Sequence, residues 1–261
     1  MGGLTVLRAL AARLPNETFV YLGDTARLPY GTKSAETVQA YALQATRHLI
    51  AEGVKMVVVA CNTASAVALG PLAESLAPVP VIGVIEPGAR AAVAATRNRR
   101  IAVIATEGTV KGEAYPRAIR ALDGDMSVVQ RPCQVFVALA EEGWTESGVT
   151  VAAAERYLGS LFEGAEAPDT IVLGCTHFPV LAAAIRQVTG DDVAIVDSAD
   201  TTAGAVADAL AVLLLLGRGW LALLLKDVGT AADAPASKTP QPPDPTSASS
   251  SLPDSTPPAT V

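Results

Sequence analysis

The 261-residue chain predicts an α/β fold of two similar domains, each a parallel β-sheet flanked by helices, with the functional site in the cleft between them. Three observations carry that expectation. Short, continuously apolar runs such as VVVA, IAVIA and IVLG lack the alternation of a half-exposed strand, so they read as strands buried on both faces. Stretches of helical length and pattern separate them, which is the βα alternation of a parallel sheet. One pattern also occurs twice: an apolar run, a small residue, a cysteine and two hydrogen-bonding residues, as VVVACNTASA at 57–66 and IVLGCTHFPV at 171–180.

Along the chain, LTVLRALAARL (4–14) places Leu4, Leu7, Leu10 or Ala11, and Leu14 on one helical face. TFVYLG (18–23) reads as a strand, and DTARLPYG (24–31) as the loop leaving its C-terminal end. Ser34 as N-cap and Gly53 at the exit bracket a long helix. KMVVVA (55–60) predicts a buried strand, TASAVALGPLAESL (63–76) a helix, VPVIGV (79–84) a strand and PGARAAVAAT (87–96) a helix. The first domain covers 1–84, with the boundary near Ile85–Pro87. The second, 85–197, alternates strands at 100–106, 127–132, 170–175 and 193–198 with helices near 112–122, through 135–162 and over 179–189. A helix over 198–216, strongest from Thr201 to Leu216, then returns to the first domain.

VLLLLGRGWLALLL (212–225) is the most apolar run, but its 14 residues include Arg218, and a membrane span needs about 20 residues. It reads as a helix or packed end, and no role is assigned to 217–230. The last 31 residues, 231–261, hold 8 prolines, 6 serines and a single leucine. Such a segment buries too little apolar area to offset its ordering entropy, so a disordered tail is expected.

Half of the chain is hydrophobic and only 4% aromatic, so its cores must be built from Ala, Val, Leu and Ile. A net charge of −7 and scattered basic residues argue against nucleic acid as a partner. Three cysteines without a CxxC motif argue against a disulfide framework and for a reducing compartment. MGGLTVLRAL carries no secretory leader pattern. Neither a GxGxxG turn after a strand nor a Walker-type loop is present, so no cofactor is expected.

The paired thiols carry the chemistry. Ligands of open α/β sheets bind beyond the carboxyl ends of the strands, so Cys61 and Cys175, 114 residues apart, both point to such a crevice. A helix N-terminus is expected to depress a thiol pKa. Two thiols across a cleft suit removal of an α-proton from an amino acid and its return on the opposite face. One group must act as base and the other as acid, and cysteine can do both once tuned. His177, two residues beyond Cys175, is placed to hold or exchange that thiol's proton. A single cysteine after a strand is more often packing than chemistry, and Cys133 of QRPCQVF, without the polar pair, is assigned to the core. A metal site from Cys61, Cys175 and His177 lacks a fourth ligand and any usual zinc spacing, so no metal is expected.

At these residues the chain resembles a known family. GGLTVLRAL, YLGDTARLPYG, ACNTASA and GCTHFPVL together are similar to glutamate racemase, of the aspartate/glutamate racemase superfamily, over residues 2 to about 210. The resemblance implies cofactor-independent interconversion of L- and D-glutamate, D-glutamate being the form used in peptidoglycan. It implies Cys61 and Cys175 as the catalytic acid/base groups and substrate contacts from Tyr30, Gly31, Asn62, Thr63, Thr176 and His177. Glu141 of ALAEEG resembles an acid that assists the second thiol. A cytoplasmic homodimer, with no membrane or nucleic-acid partner, is implied as well. Backbone N–H groups and hydroxyls at helix starts can hold carboxylates without an arginine.

The chain also departs from the family pattern. Members begin with a strand ending in an Asp-Ser-Gly turn before the GGLTVLRAL helix, and Met1 stands where that turn would finish. The expectation is a chain without that strand, without the aspartate that helps the first thiol shed its proton, and without a substrate-binding serine. The region after about Leu216 also diverges from the family pattern. The rival functions are aspartate or hydantoin racemisation on the same scaffold, and an impaired paralogue that only binds glutamate or a partner.

Overall fold

The computed structural model describes residues 2–227, and side chains as far as Leu215. Helix α1 (Gly2–Arg13) leads into two 3-10 turns, then α2 (Ala35–Ala51), β1 (Val57–Val59), α3 (Asn62–Leu76) and β2 (Val81–Gly83). The strands pair in parallel from Val57↔Val81 to Val59↔Gly83. Ser34 caps α2 by accepting the Thr37 N–H, and Gly53 turns the chain out of it at φ +73°. Val38 and Ala42 of α2 pack with Ala64, Ala68 and Leu72 of α3 on Val57 and Val59.

Helix α4 (Ile85–Ala95) leads to β3 (Arg100–Ala105), α5 (Glu107–Lys111), α6 (Ala114–Leu122) and β4 (Ser127–Pro132). Then follow α7 (Val135–Glu141), α8 (Gly148–Leu158), β5 (Thr170–Gly174), α9 (Ala182–Thr189), β6 (Ala194–Asp197) and α10 (Ser198–Asp227). The four strands form one parallel sheet in the order β4-β3-β5-β6. The chain runs from β3 outward to β4 and then returns past β3 to β5, so the direction of winding switches between β3 and β5. A crevice opens at such a switch, at the carboxyl ends. There Ala105 pairs with both Gly174 and Pro132. Thr106, Cys175 and Cys133 therefore leave the sheet side by side.

One face of this sheet packs with Val6 and Leu10 of α1, Ala89 and Ala92 of α4, Ile119 of α6, and Ala203, Val206 and Leu210 of α10. The other packs with Phe136, Leu139, Leu158, Phe178, Leu181 and Ile185. Phe136 makes edge-on contacts with Tyr157 and Phe178 at 5.3 and 5.4 Å. By length and composition, the window Ser198–Leu215 of α10 could cross a membrane, but its face of Ala199, Ala203, Val206 and Leu210 lies in the protein core.

Several expectations change. TFVYLG (18–23) is not a strand: only Phe19 packs on the core, and Val20, Tyr21 and Leu22 are exposed. A strand is defined by a hydrogen-bonded neighbour, and among the described residues this segment has none. Helix α1 buries Gly2, Val6 and Leu10, leaving Leu4 and Ala11 exposed, because its i, i+4 ridge meets α10 and α4. The expected helix near 112–122 becomes α5 and α6, divided at Glu113, whose φ is +51°. The last helix begins at Ser198, within the expected 198–216, but runs on to Asp227. The expected tail at 231–261 lies outside the described residues.

Candidate active site

Cys61 is the residue before α3, in extended conformation at φ −107° and ψ 122°. The N–H groups of Thr63 and Ala64 and the Thr63 hydroxyl point at its sulfur and favour a thiolate, yet burial outweighs them and the pKa is raised. Cys175, the first residue past β5, is 6% exposed. Burial pushes its thiol up to about 12, opposed by the His177 N–H and reinforced by the charge of Cys61. The sequence suggested lowered values for both. The helix-start donors are present as expected, but the cost of placing a charge away from water exceeds their help.

The second thiol has two titratable neighbours in a row. The Cys175 sulfur lies 3.7 Å from His177 Nδ1, and His177 Nε2 lies 2.5 Å from the Glu141 carboxylate. Glu141 closes α7 and His177 opens the 3-10 turn before α9, so packing of those two elements brings acid and imidazole together. Burial works to raise the Glu141 pKa, but it is lowered overall, with the His177 hydrogen bond and charge among the causes. Thr176, buried, accepts the Thr5 hydroxyl at its carbonyl, 3.1 Å away. A Cβ on Gly2 would stand 2.8 Å from the His177 ring, so only glycine lets α1 approach this turn so closely.

Thr63, two residues after Cys61, belongs to a buried ring of hydroxyls that the sequence reading missed. Thr63 Oγ1 is 2.9 Å from Thr106 Oγ1 and 3.2 Å from Thr109 Oγ1, and the last two are 3.0 Å apart. The missed signal was positional. ATEGT follows the strand over 100–105 as CNT and CTH follow theirs, with threonine in place of cysteine. Gly31 is buried against this ring, since a Cβ there would fall 2.7 Å from Thr106 Cβ. Tyr30 donates its hydroxyl to Asp24, which also accepts Arg27 Nε at 2.9 Å, and Arg27 stacks 4.4 Å over the Tyr41 ring. Burial first, then the bond to Asp24, hold the Tyr30 phenol protonated. Asp24 and Arg27 were also missed.

Asn62, buried, donates its Nδ2–H to the Tyr115 hydroxyl at 2.9 Å, while its Oδ1 is buried with no protein partner. Cys61 sits at the edge of the first sheet's cluster and Cys175 within one of the second sheet's clusters. Thr63 to Thr106 and Thr109, and Asn62 to Tyr115, are hydrogen bonds that join the two sides. Asn62, Thr63, Thr106, Cys175 and Thr176 are each at most 6% exposed, while Cys61, Tyr30 and His177 are half-buried and Glu141 is exposed. Cys133 is fully buried beneath Phe136, in the core as expected. Among the described residues, no three His, Cys, Asp or Glu side chains converge as a metal site would require.

Comparison with known proteins gives one consistent picture. Residues 4–206 match the family model described as Asp/Glu/hydantoin racemase. The chain is 51% identical to the glutamate racemase of Geobacter metallireducens, over 80% of this chain and 77% of that protein. It resembles the crystal structure of a glutamate racemase isoform from Bacillus anthracis with a TM-score of 0.77 at 38% identity, covering 80% of this chain and 78% of that one. The glutamate racemase of Francisella tularensis, solved with D-glutamate, gives a TM-score of 0.74 at 34% identity, covering 83% and 78%.

Proposed function

The chain belongs to the Asp/Glu/hydantoin racemase family, and from that premise we propose that it interconverts L- and D-glutamate, with Cys61 and Cys175 as the two acid/base groups. One sulfur, as thiolate, takes the proton from Cα. The other, as thiol, delivers a proton to the opposite face of the planar carbanion, and the reverse reaction exchanges the roles. The observation that carries this reading is the matched pair of Cys-polar-polar turns at the strand ends of two parallel sheets, joined through buried hydroxyl and amide contacts.

Each remaining residue has a part. His177, backed by Glu141, relays the proton of Cys175. The N–H groups of Thr63 and Ala64 stabilise the Cys61 thiolate, and the hydroxyls of Thr63, Thr106 and Thr109 with Gly31 receive a carboxylate, as does Thr176. Tyr30 borders this end with its phenol neutral. Because the threonine hydroxyls and Cys175 are buried, substrate enters by separation of the two sheets, which we read as domains 1–84 and 85–197 closing on it. The same reading carries a cytoplasmic homodimer that supplies D-glutamate for peptidoglycan and uses no cofactor.

Racemisation is followed polarimetrically with D- and L-glutamate and with both enantiomers of aspartate, without added cofactor. Loss of rotation from glutamate only, with Cys61→Ala and Cys175→Ala each reduced by about 10²–10⁴-fold or more, is the expected result. Turnover of aspartate in preference, or an active single-cysteine variant, contradicts the proposal.

A further inference from the structure

Tyr115 is a buried polar side chain to which the mechanism above gives no task. It is fully buried in α6, and its hydroxyl meets Asn62, the residue after Cys61, at 2.9 Å. Its ring lies against Gly174, the residue before Cys175, where a Cβ would come within 3.1 Å of Tyr115 Cε2. On the α4 side, a Cβ on Gly88 would stand 3.2 Å from the hydroxyl. Two glycines thus clear space for this ring, and it touches the neighbours of both thiols.

In the contact with Asn62 the amide turns its Nδ2 to Tyr115, and the hydroxyl accepts. With Nδ2 committed to Tyr115, Oδ1 is left as a buried acceptor with no protein donor, on the residue that follows the first thiol. A buried acceptor without a donor is destabilising, so a ligand that brings an N–H there recovers that loss. A carboxylate cannot do so, because it too only accepts. An α-ammonium can.

We propose that Tyr115 is a positioning residue for substrate selection: its hydroxyl holds the Asn62 amide so that Oδ1 accepts from the α-ammonium of the amino acid. The inference rests on the racemase reading. It makes the site selective for amino acids over dicarboxylates of the same length, through a tyrosine that itself stays out of the chemistry.

The test compares binding of D-glutamate with binding of glutarate, which keeps both carboxylates and lacks the amino group, in the wild-type chain and in Tyr115→Phe. Racemisation by the wild type is measured alongside. The expected result is a loss of about tenfold in glutamate affinity, seen in KM more than in kcat, with glutarate affinity nearly unchanged. A double-mutant cycle with Asn62→Ala guards against a simple packing defect. If Tyr115 acts through Asn62, then Tyr115→Phe adds no further glutamate loss in the Asn62→Ala background. Equal weakening of both ligands, no change in either, or full additivity in the cycle overturns the inference while leaving the racemase reading intact. A wild-type chain that binds D-glutamate no better than glutarate and does not racemise it overturns both.

Discussion

A thiol whose pKa is pushed to about 12 is protonated at neutral pH, so Cys175 can serve as a base only if a neighbour takes its proton. In the proposed reaction we assign that part to His177, whose Nδ1 lies 3.7 Å from the sulfur and whose Nε2 lies 2.5 Å from Glu141. The Glu141 carboxyl lies below its ordinary 4.5, so it is a carboxylate above that pH and loses its charge as pH falls through the lowered value. Glu141→Gln keeps the shape and removes the charge. Its kcat/KM is expected to fall by about 10²-fold, equally in both directions because mirror-image substrates have an equilibrium constant of one. Initial-rate kinetics from each enantiomer checks this, and an unchanged kcat/KM removes Glu141 from the relay. At this scale the sequence was informative about identity and less so about environment. A cysteine after an apolar strand and before two polar residues is visible as text. The direction of its pKa shift depends on how tightly the rest of the chain closes over it, and local sequence does not carry that information.

At the scale of elements, most strands and helices were legible because buried parallel strands are nearly pure Val, Ile, Leu and Ala, and Ser34 and Gly53 mark their helix ends openly. TFVYLG (18–23) misled for a physical reason: apolar content and length predict what a strand could be made of, but pairing is supplied by another segment. The Thr106 hydroxyl ring was missed because its partners lie 43 and 46 residues from Thr63 in sequence and meet only through the fold. The opposite end of the second sheet illustrates stability without chemistry. Asp169, just before β5, accepts the Thr96 hydroxyl at 2.6 Å and the N–H groups of Arg97 and Asn98 at 2.7 and 2.9 Å, tying the entry of β3 to that of β5. Burial raises its pKa but these hydrogen bonds lower it further, below the ordinary 3.8. A carboxyl with a depressed folded-state pKa stabilises the fold above its unfolded value, and that contribution is lost as pH falls through the folded one. Asp169→Asn is expected to destabilise by about 1–3 kcal/mol at neutral pH and to flatten the loss of stability below pH 3.8. Denaturant unfolding across pH checks it, and an unchanged profile would show that the loop is held by other contacts.

For the whole molecule, two parallel sheets each deliver a cysteine at a carboxyl edge. The β3–β5 switch sets Thr106 beside Cys175, and Thr63 brings the first sheet's helix start onto Thr106. The catalytic reading requires that the two sulfurs work on one carbon from opposite sides, which is a property of the assembled fold and of neither sheet alone. Solvent isotope incorporation tests that requirement most directly. In D₂O, racemisation of protiated L-glutamate should yield D-glutamate bearing deuterium at Cα from the first turnovers, while unreacted L-glutamate keeps its protium. Cys61→Ser and Cys175→Ser should each abolish formation of the labelled product. Product that retains the substrate's own proton, or a serine variant that racemises and exchanges normally, would contradict the account.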